Sequence, residues 1–131
     1  MRLLLDTHVW LWMLSGEERL STESRTILAD PENELFLSAA AVWEIAIKHA
    51  AGKLRYSGSP ATQIPIHIKR SGVRPLAISA DHALAAGLLP LHHRDPFDRM
   101  MVAQAQAEEL TLATVDDRLA AYDVRLLNVA A

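Results

Sequence analysis

The sequence predicts an α/β protein built on a mostly parallel sheet of about five strands. Three observations support this prediction: strand-like and helix-like segments alternate along the chain, the strand candidates are short and apolar, and serines that favour helix N-termini precede several helix candidates. The length of 131 residues fits one domain over 1–131, and the hydrophobic fraction of 50% excludes a disordered chain. The absence of cysteine excludes disulfides, thiolate zinc sites and thiol nucleophiles.

The predicted strands follow the short apolar runs of the chain. The opening run, residues 2–5, is continuously apolar, as expected of a buried strand. A turn over 30–33, with Asp30-Pro31 at its start, precedes the second run. In order, the predicted strands cover residues 2–5, 35–37, 73–78, 111–113 and 124–127.

The predicted helices have recognisable ends. Ser21, Ser38 and Ser79 stand at positions where a serine side chain caps a helix N-terminus, and Gly52 stands where the third helix ends. Pro65 falls inside another helix candidate, so either a kink or two shorter helices is expected there. In order, the predicted helices cover residues 7–14, 21–29, 38 to about 51, 61–70, 79–88, 97–108 and 117–122.

The charged residues are unevenly distributed. A net charge of −3 argues against a polyanionic partner, but residues 45–80 contain no acid and several bases, part of them in a predicted loop over 53–60. A local basic patch attracts phosphate, and the alternative is a solvated face or one that docks an acidic partner. With two arginines beside the candidate site described next, the candidate phosphate-binding residues are Lys48, Lys53, Arg55, Lys69, Arg70, Arg74, Arg94 and Arg99.

Four acids stand at positions where a parallel sheet gathers ligands. Asp6 follows the first strand, Asp116 follows the strand over 111–113, Asp98 opens a helix and Glu44 lies on the helix from Ser38. Ligands of open α/β sheets bind at the carboxyl ends of the strands, so these side chains are expected to converge there.

Three of these acids also have a simpler explanation in helix capping. Asp6 and Asp116 each precede a predicted helix, and Asp95 with Asp98 forms an Asp-x-x-Asp pair that resembles a capping box. Taken singly, none of the three positions therefore requires a catalytic role.

Glu44 is harder to explain structurally. It lies within residues 39–47, which are apolar on nearly all sides, so its helix is expected to be buried, and a buried unpaired carboxylate is costly. Pairing with Lys48 one turn later contributes only ~0.2–0.5 kcal/mol. A cation shared with the other acids compensates the charge better, and oxygen ligands without cysteine favour Mg²⁺, with Mn²⁺ as the alternative.

Histidines and tryptophans offer weaker signals. His8, His92 and His93 suggest a rival zinc site, but adjacent histidines are a poor spacing for two ligands of one ion, so zinc is disfavoured. The three tryptophans, at positions 10, 12 and 43, are expected in the core rather than on a base-stacking surface.

Four segments of the chain resemble, in order, the motifs of PIN-domain nucleases. Residues 3–8, Leu-Leu-Leu-Asp-Thr-His, resemble the first strand and its aspartate, and Ser38 to Glu44 resembles the Ser-x-x-x-x-x-Glu helix. Residues 93–105 resemble the third motif, in which Asp98 opens an alanine-rich helix, and Thr114-Val115-Asp116 resembles Thr-x-Asp. The similarity extends over essentially the whole chain and is strongest to the VapC-type toxins of bacterial toxin–antitoxin pairs.

The resemblance implies a three-layer α/β/α sandwich and a Mg²⁺-dependent endoribonuclease acting on structured RNA such as tRNA. It also implies a homodimer and an antitoxin protein that blocks the site. The matching positions for metal binding and catalysis are Asp6, Glu44, Asp98 and Asp116. Supporting positions beside them are Thr7, Thr114, Asp95 and Asp117.

Other function classes fit the residues less well. A haloacid-dehalogenase-type phosphatase needs a second aspartate two positions after Asp6, where this chain has His8, and a receiver domain needs a phosphoacceptor arrangement that the sequence lacks. A different metal-dependent phosphoesterase and a non-catalytic PIN-like module that binds a partner remain alternatives. The N-terminal apolar run is too short for a signal peptide and there is no long apolar run, so a cytoplasmic protein without membrane association is expected.

Overall fold

The protein folds around one five-stranded sheet in which every pairing is parallel. The computed structural model describes residues 1–16 and 18–131. The strands, in chain order, are β1 (Arg2–Leu5), β2 (Glu34–Ser38), β3 (Arg74–Leu76), β4 (Thr111–Thr114) and β5 (Leu126–Asn128). They lie side by side in the order β3-β2-β1-β4-β5. The predicted α/β class with a parallel sheet of about five strands is therefore confirmed.

Helices connect the strands, as a parallel sheet requires. They are α1 (Thr7–Ser15), α2 (Thr22–Ala29), α3 (Ala39–Ala50), α4 (Pro60–Ser71), α5 (Ala80–Leu88) and α6 (Pro96–Glu108), followed by a 3₁₀ helix over Asp117–Ala121. The predicted caps are present, since the side chains of Ser21, Ser38 and Ser79 accept hydrogen bonds from Ser24, Ala40 and His82 backbone amides.

Helices cover both faces of the sheet. Leu3 and Leu5 pack into one core with residues of α1, α3 and α4, whereas Leu4, between them, packs against Met101 and Val102 of α6 on the other face. All three leucines of β1 are fully buried. A strand buried on both faces gives the continuously apolar run seen in the sequence, and the three-layer arrangement follows.

The strand order places a crevice beside the central strand. From β1 the chain moves to β2 and β3 on one side of the sheet, and β4 and β5 lie on the other side. The order therefore reverses between β1 and β4, and side chains that follow these two strands meet at the switch point.

Two local details were decided by the structure. Residues 60–71 form one helix with Pro65 inside it, so the alternative of two shorter helices was wrong; the missing proline N–H removes a single bond while Ile64 remains anchored in the core. Trp43 was expected in the core but is 60% exposed, since α3 packs on the core through Ala41 and Ile45 instead. Among the described residues, no helix is both long and apolar enough to cross a membrane.

Candidate active site

The four acids singled out from the sequence occupy one edge of the sheet, although they come from distant parts of the chain. Asp6 directly follows β1 and Asp116 follows β4, while Glu44 lies on α3 and Asp98 in the first turn of α6. The carboxylates are close enough to interact electrostatically, since Asp6 is influenced by both Glu44 and Asp98.

Asp6 is a buried carboxylate rather than a helix cap. Its side chain makes no capping hydrogen bond to the N-terminus of α1 and is only 7% exposed. Thr114 Oγ1 donates a hydrogen bond to Asp6 Oδ2 at 2.7 Å, and the Asp6 amide donates to the carbonyl of Ala113 at 2.9 Å. The capping explanation is therefore wrong for Asp6, and Thr114 fixes one of its carboxylate oxygens.

Glu44 is buried and has a partner at each oxygen. Thr7 Oγ1 donates to Glu44 Oε1 at 2.6 Å, and Lys48 Nζ contacts Glu44 Oε2. Glu44 is 3% exposed, as the sequence suggested. The pairing with Lys48 one turn later, the simpler explanation that the sequence offered, is therefore present, and Thr7 adds a second partner.

Asp98 and Asp95 have separate roles. Asp95 caps α6, accepting hydrogen bonds from the amides of Phe97 and Asp98. Asp98 points instead to the preceding loop, where His93 Nε2 donates to Asp98 Oδ2 at 2.7 Å. Capping therefore explains Asp95 and leaves the Asp98 carboxylate available to the site.

Asp116 caps the 3₁₀ helix and also forms an ion pair. Its Oδ1 accepts from the Arg118 amide at 3.0 Å, and the Arg118 guanidinium contacts both carboxylate oxygens. The neighbouring Asp117 accepts a hydrogen bond from Asn128 Nδ2 at 2.7 Å. Capping is thus confirmed at Asp116, and it fixes the orientation of a carboxylate that borders the site.

The geometry suits a hard divalent cation. His93, Asp98 and Asp116 each offer one ligand atom, and these atoms lie within 4.8 Å of one another. Two carboxylates are donors that Mg²⁺ and Mn²⁺ accept, and an imidazole is better suited to Mn²⁺ than to Mg²⁺. The residues present therefore fit the ion that the sequence predicts, and Asp6 stands beside the trio.

The pKa values of the site carboxylates reflect their burial and their neighbours. Burial raises the pKa of Asp6, against the lowering effect of the Thr114 hydrogen bond. Burial, reinforced by the charges of Asp6 and Asp95, raises the pKa of Asp98 to about 6. The Arg118 hydrogen bond lowers the pKa of Asp116. Ionising Asp98 is therefore costly, because its carboxylate is buried beside like charges. A bound cation would reduce that cost.

Sequence reasoning missed two residues of the site. His93 was dismissed with His92 as part of an unsuitable pair, yet its imidazole reaches Asp98, whereas His92 packs against Tyr122. Arg118 drew no attention, although it follows the Thr-x-Asp motif by two positions. Position within the loop that leads to Asp98 was the usable signal for His93. Nothing in the sequence indicated the ion pair of Arg118.

The candidate phosphate-binding residues separate into two groups. Lys48 pairs with Glu44 and Arg74 lies 3.6 Å from Glu34. The Arg99 guanidinium donates to backbone carbonyls of residues 86–93, which gives it a structural role. The remaining candidates are exposed: Lys53, Arg55, Lys69, Arg70 and Arg94.

A family model and a related sequence both match this chain. The model of the PIN domain family matches residues 3–125. A 64-residue segment is 42% identical to Ribonuclease VapC16 of Mycobacterium tuberculosis and covers 49% of this chain. The match covers 44% of that relative, which is less than half its length.

Solved structures share the fold over nearly the whole chain. VapBC2 of Rickettsia felis, bound to a DNA fragment from its promoter, superposes with a TM-score of 0.72 at 18% identity and 98% coverage of each chain. VapBC-5 of Mycobacterium tuberculosis gives 0.64 at 19% identity, again with 98% coverage of each chain. FitAcB of Neisseria gonorrhoeae gives 0.62 at 20% identity and 96% coverage of each.

Proposed function

The chain belongs to the PIN domain family, and from this premise we propose that it is a Mg²⁺- or Mn²⁺-dependent endoribonuclease that acts on structured RNA such as tRNA. The supporting observation is the convergence of Asp6, Asp98, Asp116 and Glu44 at the switch point of the sheet. Ionising Asp98 beside other carboxylates destabilises the fold, and a purely structural site would gain nothing from that arrangement. The similarity to Ribonuclease VapC16 agrees with this activity.

The proposed site residues have different roles. Asp6, Asp98 and Asp116 would hold the cation, with Thr114 orienting Asp6 and His93 orienting Asp98. The ion, once bound, would neutralise charge on the scissile phosphate and acidify a water for attack on phosphorus. Glu44, held by Thr7, would orient that water or take a ligand position, and Lys48 limits the charge that Glu44 adds to the cluster.

Cleavage of RNA should depend on a divalent cation. Total tRNA incubated with the purified protein is expected to be cut in Mg²⁺ or Mn²⁺ and to stay intact with a chelator, as read on a denaturing gel. The Asp6→Asn variant, purified identically, controls for a contaminating nuclease, because Asn retains the Thr114 contact but is a poor ligand for Mg²⁺. Intact tRNA under all conditions would contradict the proposal and favour a non-catalytic binding module.

We also propose that the protein is a toxin whose antitoxin blocks this site, and that it acts as a homodimer in the cytoplasm. The similar structures were solved as toxin–antitoxin complexes. A groove of about 1330 Å³ between the end of α1 and α4 combines apolar and cationic residues. That combination suits an acidic amphipathic segment. Its cationic lining consists of Arg19, Arg55 and Arg70.

The exposed bases of the loop after α3 should contribute to RNA affinity through phosphates. In an Asp98→Asn background that does not cut, replacing Lys53 and Arg55 with alanine is expected to weaken tRNA binding and to flatten its salt dependence. Each lost phosphate contact should reduce the slope of log affinity against log salt by ~0.7–0.9. Fluorescence anisotropy between low and moderate salt measures the slope.

Arg125→Gln serves as the control for the loss of a single charge, because Arg125 lies just ahead of β5, at the end of the strands opposite to the site. An unchanged slope for the Lys53 and Arg55 double variant would exclude both residues from the RNA footprint. Arg55 would then be assigned to the groove that it lines with Arg70.

A further inference from the structure

The Arg118 guanidinium binds Asp116, one of the candidate metal ligands. Its Nε lies 2.9 Å from Asp116 Oδ1 and its Nη2 lies 2.7 Å from Asp116 Oδ2, so the contact is bidentate. The Arg118 side chain is 72% exposed, whereas the Asp116 side chain that it contacts is 21% exposed.

A divalent cation and this guanidinium compete for the same oxygens. Asp116 offers one ligand atom within 4.8 Å of those of His93 and Asp98, and both of its oxygens already accept hydrogen bonds from Arg118. The acids Asp98 and Asp95 also attract the Arg118 charge. A bound cation would reverse that attraction, because two positive charges would then share one carboxylate.

We propose, resting on the nuclease function above, that Arg118 exchanges Asp116 for a phosphate of the RNA when the site binds its divalent cation. The side chain is exposed and flexible enough to move, and a planar guanidinium binds a phosphate through two parallel hydrogen bonds. Asp116 keeps its orientation without the side chain of Arg118, because the Arg118 backbone amide still caps Asp116 Oδ1 at 3.0 Å. Arg118 thus offsets the negative charge of the metal-free site and positions the RNA phosphate in the metal-bound site.

If this exchange occurs, loss of the Arg118 guanidinium should raise metal affinity and slow RNA cleavage. Arg118→Gln should bind Mn²⁺ about two- to fivefold more tightly without RNA, the range expected for removing an exposed ion pair that competes with the metal. The same variant should cut RNA more slowly, with the salt slope of kcat/KM reduced by ~0.7–0.9 for one lost phosphate contact. Arg118→Lys, which keeps the charge but not the fork, should fall between the variant and the wild type on both measures.

Isothermal titration with Mn²⁺ and cleavage of a short RNA at saturating Mn²⁺ measure these quantities. Arg125→Gln, with the same charge change away from the site, should match the wild type on both. Unchanged or weaker Mn²⁺ affinity in Arg118→Gln, or an unchanged salt slope, would overturn the exchange while leaving the nuclease intact. A wild type that neither binds Mn²⁺ nor cuts RNA would overturn the nuclease function itself, so the two failures are distinguishable.

Discussion

Replacing Asp98 with asparagine should abolish RNA cleavage and stabilise the fold at the same time. Cleavage should fall by ~100-fold or more, the scale on which losing one charged group at a reaction centre acts. Asparagine still accepts the hydrogen bond from His93 Nε2, so the loop is not expected to move. What the variant loses is a negative charge that burial and Asp6 make costly to hold.

The sign of the stability change follows from proton linkage. The pKa of Asp98 is raised from 3.8 to about 6, so the folded protein binds a proton that the unfolded chain releases over this interval. The wild type is therefore expected to lose stability as pH rises from about 4 to about 6, and the variant should lose less. At pH 7 without metal the gain should be ~1–3 kcal/mol, bounded by the free-energy equivalent of the pKa change.

Asp116→Asn is the matched control for this experiment. It removes the same charge from the same site and should also impair cleavage. The pKa of Asp116 is lowered by Arg118, so ionised Asp116 is stabilised in the folded protein and its loss should not raise the free energy of unfolding. Urea denaturation of the two variants at pH 4 and pH 7, in chelator, separates the cases. An Asp98→Asn protein less stable than the wild type at pH 7 would contradict the interpretation.

Metal should reverse the order of stability. A cation that binds only the folded site raises its stability in proportion to the logarithm of its concentration over the dissociation constant. Mn²⁺ is therefore expected to raise the melting temperature of the wild type and to have a smaller effect on Asp98→Asn. Equal shifts in both proteins would indicate that the ion binds elsewhere.

The success of the sequence-based prediction had a physical basis in local signals. Leu3, Leu4 and Leu5 must be apolar because both faces of β1 are covered, and capping serines mark helix starts through contacts a few residues long. Asp6 could be placed at the site because the end of a parallel strand fixes where its next side chain lies. Such positions depend on local chain geometry, which the sequence carries directly.

The features that the sequence did not predict depend on contacts between distant segments. Thr7 donates to Glu44 across 37 residues, and no periodicity reports that contact. Trp43 has a core-like composition around it, but the rotation of α3 against the sheet leaves its ring exposed, in edge contact with Phe97. Whether a basic residue faces solvent or backbone carbonyls is equally a matter of tertiary placement, as Arg99 illustrates.

Arg99 should be the arginine whose loss most destabilises the protein. Its guanidinium donates to the carbonyls of Ala86, Leu89 and Pro90 at 2.9–3.0 Å, and to those around them at longer range. These groups end α5 and open the loop before α6, so Arg99 satisfies carbonyls that have no helical partner. Replacing it with lysine keeps the charge but removes the planar fork, and should lower the free energy of unfolding by ~2–4 kcal/mol.

The same contact links Arg99 to the site through His93. Arg99 Nη1 lies 3.3 Å from the His93 carbonyl, and Tyr122 Oη accepts from the His93 amide at 3.0 Å. Without this clamp the loop should loosen and His93 should no longer hold Asp98, so cleavage should fall by ~10–100-fold, the usual cost of losing a group that orients a metal ligand. RNA affinity at low salt and its salt slope should stay near the wild-type values.

Arg94→Gln provides the comparison, since Arg94 lies in the same loop but is exposed. It should leave the free energy of unfolding within ~0.5 kcal/mol of the wild type. Its effect, if Arg94 contacts RNA, should appear only in the salt slope. Guanidinium chloride denaturation measures the structural role of each arginine. RNA binding at several salt concentrations, in an Asp98→Asn background, measures its contact with phosphate. An Arg99→Lys protein of wild-type stability, together with an Arg99→Gln protein whose salt slope is reduced by ~0.7–0.9, would return Arg99 to the RNA footprint, because losing bonds to carbonyls at the end of a helix must lower stability.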